Sequence, residues 1–144
     1  MGFGFPAALG AKMAKPDVPV IDIAGDGSFQ MTENSLATSI EEGIPVTVVV
    51  INNRMLGMVA QWQRFFYNRR YSAVTLGSSP DFVKLAEAYG AEGIRVQSMA
   101  ELQAAVTKAI RSTVTTVIDV PISPEENVLP MLPPGAGIKE MIVG

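Results

Sequence analysis

The chain has 144 residues and a mass near 15.3 kDa, enough for one compact domain and too little for two of ordinary size. Apolar residues make up 48% and charged residues 17%, with a net charge of −3; intrinsic disorder is excluded, and no basic field exists for nucleic acid or an anionic membrane. With no Cys and no His, thiol chemistry, disulfides, zinc fingers, His-based triads and haem ligation are excluded, and any metal must be a hard cation on oxygen ligands.

In chain order, short apolar strands alternate with helical stretches, the signature of a parallel α/β sheet. Residues 6–14, rich in small side chains, predict a helix that can approach a sheet closely. Residues 20–24 predict a first strand, which runs into Gly25-Asp26-Gly27-Ser28, read as a turn. Thr32 is placed to cap a helix over residues 33–42 that stops at Gly43 and Pro45. Residues 46–51 are β-branched throughout, as in a strand buried on both faces, and Asn52-Asn53 follows. A helix from Gly57 to Phe66 carries Trp62, Phe65 and Phe66. Ser79-Pro80-Asp81 predicts a helix start with Pro at the first position, and Tyr89-Gly90 its end. Residues 94–96 predict a short third strand. Ser98 and Glu101 form a capping box that opens a helix to Arg111. Residues 115–120 predict a fourth strand, ended by Pro121. The Pro- and Gly-rich stretch 123–137 must lie across something or move.

This reading gives a domain of residues 1–122 and a tail of residues 123–144. A parallel domain usually opens on a strand, and four strands make a small sheet. The expected fold is therefore a three-layer α/β/α sheet, truncated at its N-terminus. The longest apolar run, residues 46–51, falls far short of the roughly 20 residues a membrane helix needs. The first residues lack the basic start and apolar stretch of a secretory signal.

Ligands of open parallel sheets bind beyond the carboxyl ends of the strands, where both polar turns fall. Gly25 and Gly27 permit close backbone approach, and their amides with that of Ser28 would form a nest for phosphate oxygens. Asp26 and Asn53 supply one charged and one neutral oxygen, a set suited to Mg²⁺ beside a diphosphate. Each turn alone is a weak signal. Joined across 24 intervening residues, one helix and one strand, they are a strong one.

That combination resembles the thiamine-diphosphate-binding motif of thiamine-dependent enzymes. The resemblance extends along residues 1–8, 25–32, 57–63, 66–72 and 129–135, which look like the C-terminal part of the acetolactate synthase (acetohydroxyacid synthase) large, catalytic subunit. The resemblance implies thiamine diphosphate and Mg²⁺ as cofactors, with Asp26, Asn53 and the backbone carbonyl of Met55 as metal ligands. It places Gly25, Gly27 and Ser28 at the diphosphate, Met1 and Met31 against the organic part of the cofactor, and Gly57 and Met58 beside it. Met58, Val59 and Trp62 would line the substrate channel. Arg54-Met55-Leu56 departs from a common form of the family, in which acidic or Gln residues stand there.

The implied reaction condenses pyruvate with pyruvate or 2-oxobutanoate in branched-chain amino-acid biosynthesis, in the cytoplasm of a prokaryote. FAD would belong to the full-length enzyme only. The family's activating Glu and second-substrate Arg lie in an N-terminal domain outside these residues, so no catalytic residue is expected here and the chain alone should be inactive. Expected partners are the rest of the catalytic subunit, a small regulatory subunit and a second copy, with no nucleic acid and no membrane.

Three other readings compete. Another thiamine-dependent enzyme (pyruvate oxidase, benzoylformate decarboxylase or glyoxylate carboligase) shares the two turns but not the Met58-to-Gln63 run. A non-catalytic cofactor-binding module is the second. A nucleotide-binding regulatory domain is the third, against which stands the lack of Gly-x-Gly-x-x-Gly after the first strand. Arg64, Arg69 and Arg70 among aromatics read as an intersubunit or solvated surface rather than a nucleic-acid site. Asp22 is either buried and paired or at a sheet margin.

Overall fold

The computed structural model describes residues 1–77 and 80–143. Four strands, β1 (Ile21–Gly25), β2 (Thr47–Asn52), β3 (Glu92–Arg95) and β4 (Thr116–Pro121), form one parallel sheet in the order β1-β2-β4-β3. Among the described residues six helices accompany them, α1 before the first strand and the other five between strands: α1 (Gly4–Ala14), α2 (Asp26–Gln30), α3 (Ser35–Glu41), α4 (Gly57–Phe66), α5 (Phe82–Ala88) and α6 (Met99–Ala109). A short 3-10 turn, Ile138–Glu140, lies near the end of the chain. The expected three-layer arrangement is present.

Strand residues alternate between the two faces. Ala24, Val48, Val50 and Val117 meet α1, α2, α3 and α5 through Phe5, Phe29, Leu36 and Phe82. Phe29 sits between Phe5 and Phe82, its ring centroid 5.3 and 5.8 Å from theirs. On the opposite face, Val49 and Ile118 meet Ala105 and Ala109 of α6. That single helix covers β3 and β4 but not β1, whose Ile23 is 74% exposed. α5 reaches the sheet most closely over Gly93, where a Cβ would lie 2.6 Å from the Val83 carbonyl oxygen.

Several local expectations need correction. Gly25-Asp26-Gly27-Ser28 is not a free turn; Asp26 begins α2, a helix the glycines concealed. Thr32 does not cap: α3 starts at Ser35, and the Thr32 hydroxyl is buried without a hydrogen-bond partner among the described residues. Pro80 precedes the cap of α5 instead of opening it; Asp81 accepts the N–H groups of Val83 and Lys84. The expected start at Ser79 lies outside the described residues. The box at α6 is half-formed, since Ser98 accepts the Glu101 N–H while Glu101 reaches back to the Gln97 N–H.

Asp22 is buried on edge strand β1, and one of its oxygens has no partner among the described residues. Burial pushes its carboxyl above the ordinary value. The folded chain therefore disfavours the ionised form: the cost is full above the folded value and gone below the unfolded one. Asp22→Asn is expected to raise stability by about 1 kcal/mol at neutral pH in urea titration. At about pH 3 the variant and parent should coincide.

Candidate functional site

β1 and β2 run side by side, with Gly25 in register with Ile51. The residues leaving these two strands therefore meet at one edge of the sheet. Asp26 is 2% exposed. One of its oxygens accepts the Gly27 N–H at 2.8 Å and the other the Arg54 N–H at 2.6 Å. The second bond draws the turn at residues 52–55 onto the start of α2. Arg54 adopts a left-handed backbone, φ 57°, and the Asn53 side-chain oxygen accepts the Met55 N–H at 3.0 Å. Antiparallel bonds from Leu56 to Val74 and from Leu76 to Arg54 hold the far side of the turn.

Burial pushes the Asp26 carboxyl above its ordinary value, against the pull of the Gly27 and Arg54 amides; the negative charge of Asp119 adds to the upward push. No Lys or Arg forms an ion pair with Asp26 among the described residues. A buried carboxylate without a cation is costly. A hard divalent cation would answer that charge, and the side-chain oxygens of Asp26 and Asn53 are donors of the right kind.

The glycines take different parts from those the sequence suggests. Gly25 has an ordinary extended backbone and opens onto free space, so a Cβ there would meet nothing within 4 Å. Gly27 is closely packed, a Cβ lying 3.0 Å from Leu56 and 3.1 Å from Leu76. Its N–H points to the Asp26 carboxylate, so the three-amide nest expected for phosphate is not fully free. Ser28 accepts the Gly2 N–H at 3.0 Å, which ties the first residues to the site. Met1 approaches Gly27, Met31 lies beside Gly2, and both methionines are exposed. The Gly57 α-carbon borders the Asn53 side-chain amide.

From Gly57 the chain enters α4, a helix that turns its polar side inward. Gln61 is 2% exposed and Arg64 is buried, whereas Met58, Val59 and Trp62 are exposed. These three, with Gln63, Tyr67, Arg70 and Ser72, line a groove of about 710 Å³. Gln61 makes a reciprocal pair with the backbone of Val128. Arg64 donates to the carbonyls of Pro124 and Glu125, to Asn127 and to the Tyr71 hydroxyl. Gln63 makes a second reciprocal pair, with the backbone of Ser72. Arg64 is thus no solvated or intersubunit residue, as its neighbours suggested; it straps the tail to α4. Arg69 and Arg70 are exposed as expected.

Sequence reasoning missed a second polar group at the same end of the sheet. Asn52, Asp119, Arg95 and Asp81 join β2, β4, β3 and the start of α5 by hydrogen bonds of 2.9, 2.9 and 2.8 Å. A carboxylate inside the otherwise uncharged, β-branched run of residues 115–120 was the available signal.

The family description "Thiamine pyrophosphate enzyme, C-terminal TPP binding domain" matches residues 1–120, and the chain belongs to that family. Within it, the chain is 50% identical to a probable acetolactate synthase large subunit of Methanocaldococcus jannaschii, across 99% of this chain and 24% of that protein. It is 46% identical to the acetolactate synthase isozyme 3 large subunit of Escherichia coli, across 98% of this chain and 25% of that one. The chain thus spans about a quarter of the length of these relatives. In three dimensions it is similar to a thiamine diphosphate-dependent 4-hydroxybenzoylformate decarboxylase of Rhodococcus jostii, with a TM-score of 0.79 and 32% identity. That likeness covers 85% of this chain and 23% of the other.

Removing the strap should free the tail. Arg64→Met leaves two backbone carbonyls without their buried donor, at about 2 kcal/mol of local stability. Hydrogen exchange at the Val128 amide should accelerate about 30-fold, while amides of β2 and β4 keep their protection.

Proposed function

We propose that these residues are the diphosphate- and metal-binding part of an acetolactate synthase catalytic subunit. In this reading residues 1–122 form the partial cofactor domain and residues 123–144 the tail strapped across it. The observation that carries the proposal is the pairing of Asp26, buried without a Lys or Arg partner among the described residues, with the Asn53 turn at adjacent strand ends. The names of the relatives similar over the whole chain support the particular reaction.

Asp26, Asn53 and the Met55 carbonyl would hold Mg²⁺. Gly25, Gly27 and Ser28 would face the diphosphate, with Gly25 leaving the space a Cβ would fill. Met1, Met31, Gly57 and Met58 would contact the cofactor. When bound, thiamine diphosphate supplies the carbanion chemistry by which pyruvate loses carbon dioxide and its two-carbon remnant joins a second 2-oxo acid. The chain's own share is binding and orientation. Asp26 and its cation offset diphosphate charge, and Met58, Val59 and Trp62 give an apolar wall for the short carbon chains of pyruvate and 2-oxobutanoate. Arg70, in the same groove, brings positive charge suited to a carboxylate.

The activating acid and the second-substrate Arg would come from residues outside this chain, as would any FAD. The enzyme would act in the cytoplasm, and the exposed edge of β1 with the outward face of α4 would meet the rest of the subunit or a second copy. Among the described residues no helix is long and apolar enough to cross a membrane.

Two outcomes test the reading. In the full-length enzyme, Asp26→Ala is expected to abolish Mg²⁺-dependent cofactor binding by calorimetry, and parental affinity in that variant would remove the metal site. The 144-residue chain alone should bind the cofactor weakly and produce no detectable acetolactate from pyruvate. Measurable turnover by the pure chain would place the catalytic machinery here after all.

A further inference from the structure

Asp119 lies within β4 and is 1% exposed. Its neighbour across the β3–β4 pair is Arg95, in direct register. Across the β2–β4 pair it stands beside Val50, two residues before Asn52 on the same face. The Asp119 carboxylate uses its two oxygens on these two neighbours, accepting the Asn52 side-chain N–H at 2.9 Å and the Arg95 Nε–H at 2.9 Å. Arg95 also reaches Asp81 at 2.8 Å, so its charge is shared between two acids. This arrangement needs α5 close to the sheet, which the bare α-carbon of Gly93 allows.

These groups, with Arg54, line a cavity of about 270 Å³ below the turn at residues 52–55. The Asn52 side-chain oxygen is itself buried, without a hydrogen-bond partner among the described residues. Among the described residues the turn itself has four ties, one of them the Ile122 N–H donated to the Asn52 carbonyl at 2.9 Å. Asp26 holds the Arg54 N–H, the Thr75 segment holds the outgoing side, and Asp119 holds Asn52 where the turn leaves the strand.

We propose that Asp119 is a positioning residue for the divalent-cation site: by holding the Asn52 side-chain amide, it fixes the turn that carries Asn53 and Met55. The inference rests on the reading of that turn as metal-binding. Asp119 itself touches neither cation nor substrate. Its two acceptors match two donors; Arg95, shared with Asp81, offsets part of its charge, and the rest reaches Asp26, so Asn52→Ala is the variant that removes the anchor while keeping that charge. An amide in its place has one acceptor only. In Asp119→Asn, Arg95 claims that oxygen and the new NH₂ meets the NH₂ of Asn52. Asn52 then keeps its bond only by turning over, which puts its NH₂ where a buried oxygen without a partner among the described residues now stands, so the turn is held less well.

The test uses the full-length enzyme with saturating thiamine diphosphate and Mn²⁺ as probe, binding being followed by the electron paramagnetic resonance of the free ion. The midpoint for Mn²⁺ in Asp119→Asn should rise about tenfold, the scale on which outer partners of metal ligands act. Asn52→Ala should raise it similarly, and the double variant no further than either alone. A purely structural role would instead lower the melting temperature of the metal-free protein and leave the midpoint unchanged, which overturns the proposal. So does an additive double variant. If Asp119→Asn does not fold, Asn52→Ala decides by the same midpoint. Loss of Mn²⁺ binding in Asp26→Ala beside a parental midpoint in Asp119→Asn overturns this step alone. Parental binding in Asp26→Ala overturns the metal site and this step together.

Discussion

One carboxylate joins the two halves of the candidate site. Asp26 accepts an N–H from Gly27 in its own helix and another from Arg54 beyond the neighbouring strand. Each bond fixes a different segment, so the site exists only while β1 and β2 keep their register. Side chains in a strand alternate with period two, and a slip of one residue would exchange the faces of β1. Ala24 would then leave the core it shares with Phe5 and Phe29, and Ile23 would enter it. The packing that makes the fold stable is thus the same packing that brings Asp26 to the Asn53 turn.

The strands were legible from sequence because their signal is local. Each predicted strand overlaps an observed one, and α4 has the predicted bounds of Gly57 and Phe66. β-Branched runs and helix stops act over a few residues. α2 was hidden because two of its first residues, Gly25 at the cap and Gly27 within, argue for a turn on propensity alone. What makes it a helix is Phe29 seated between Phe5 and Phe82, contacts that no window along the chain contains.

The chemistry followed the same division. Asp26 and Asn53 could be proposed because each follows a predicted strand in a polar segment, although the first segment opens a helix and not a turn. Arg64 could not, because the carbonyls that bury it lie about sixty residues further on. Asp119 was readable only as an anomaly. A charge within an apolar strand announces that it has partners, but not that these are Asn52 and Arg95. Such partners become visible only once the order β1-β2-β4-β3 has placed non-consecutive strands side by side.

The inverted helix α4 separates two duties that most helices combine. Gln61, Gln63 and Arg64 fasten it largely to main-chain atoms, the carbonyls and amides of segments at Ser72 and at residues 124–128, with Tyr71 and Asn127 as side-chain partners of Arg64. Main-chain partners do not change when side chains do. The outward residues Met58, Val59 and Trp62 therefore carry little of the work of keeping the helix in place. Over evolutionary time this leaves the groove wall open to drift: its shape and polarity can be rewritten residue by residue, on a scaffold whose attachment is indifferent to the change.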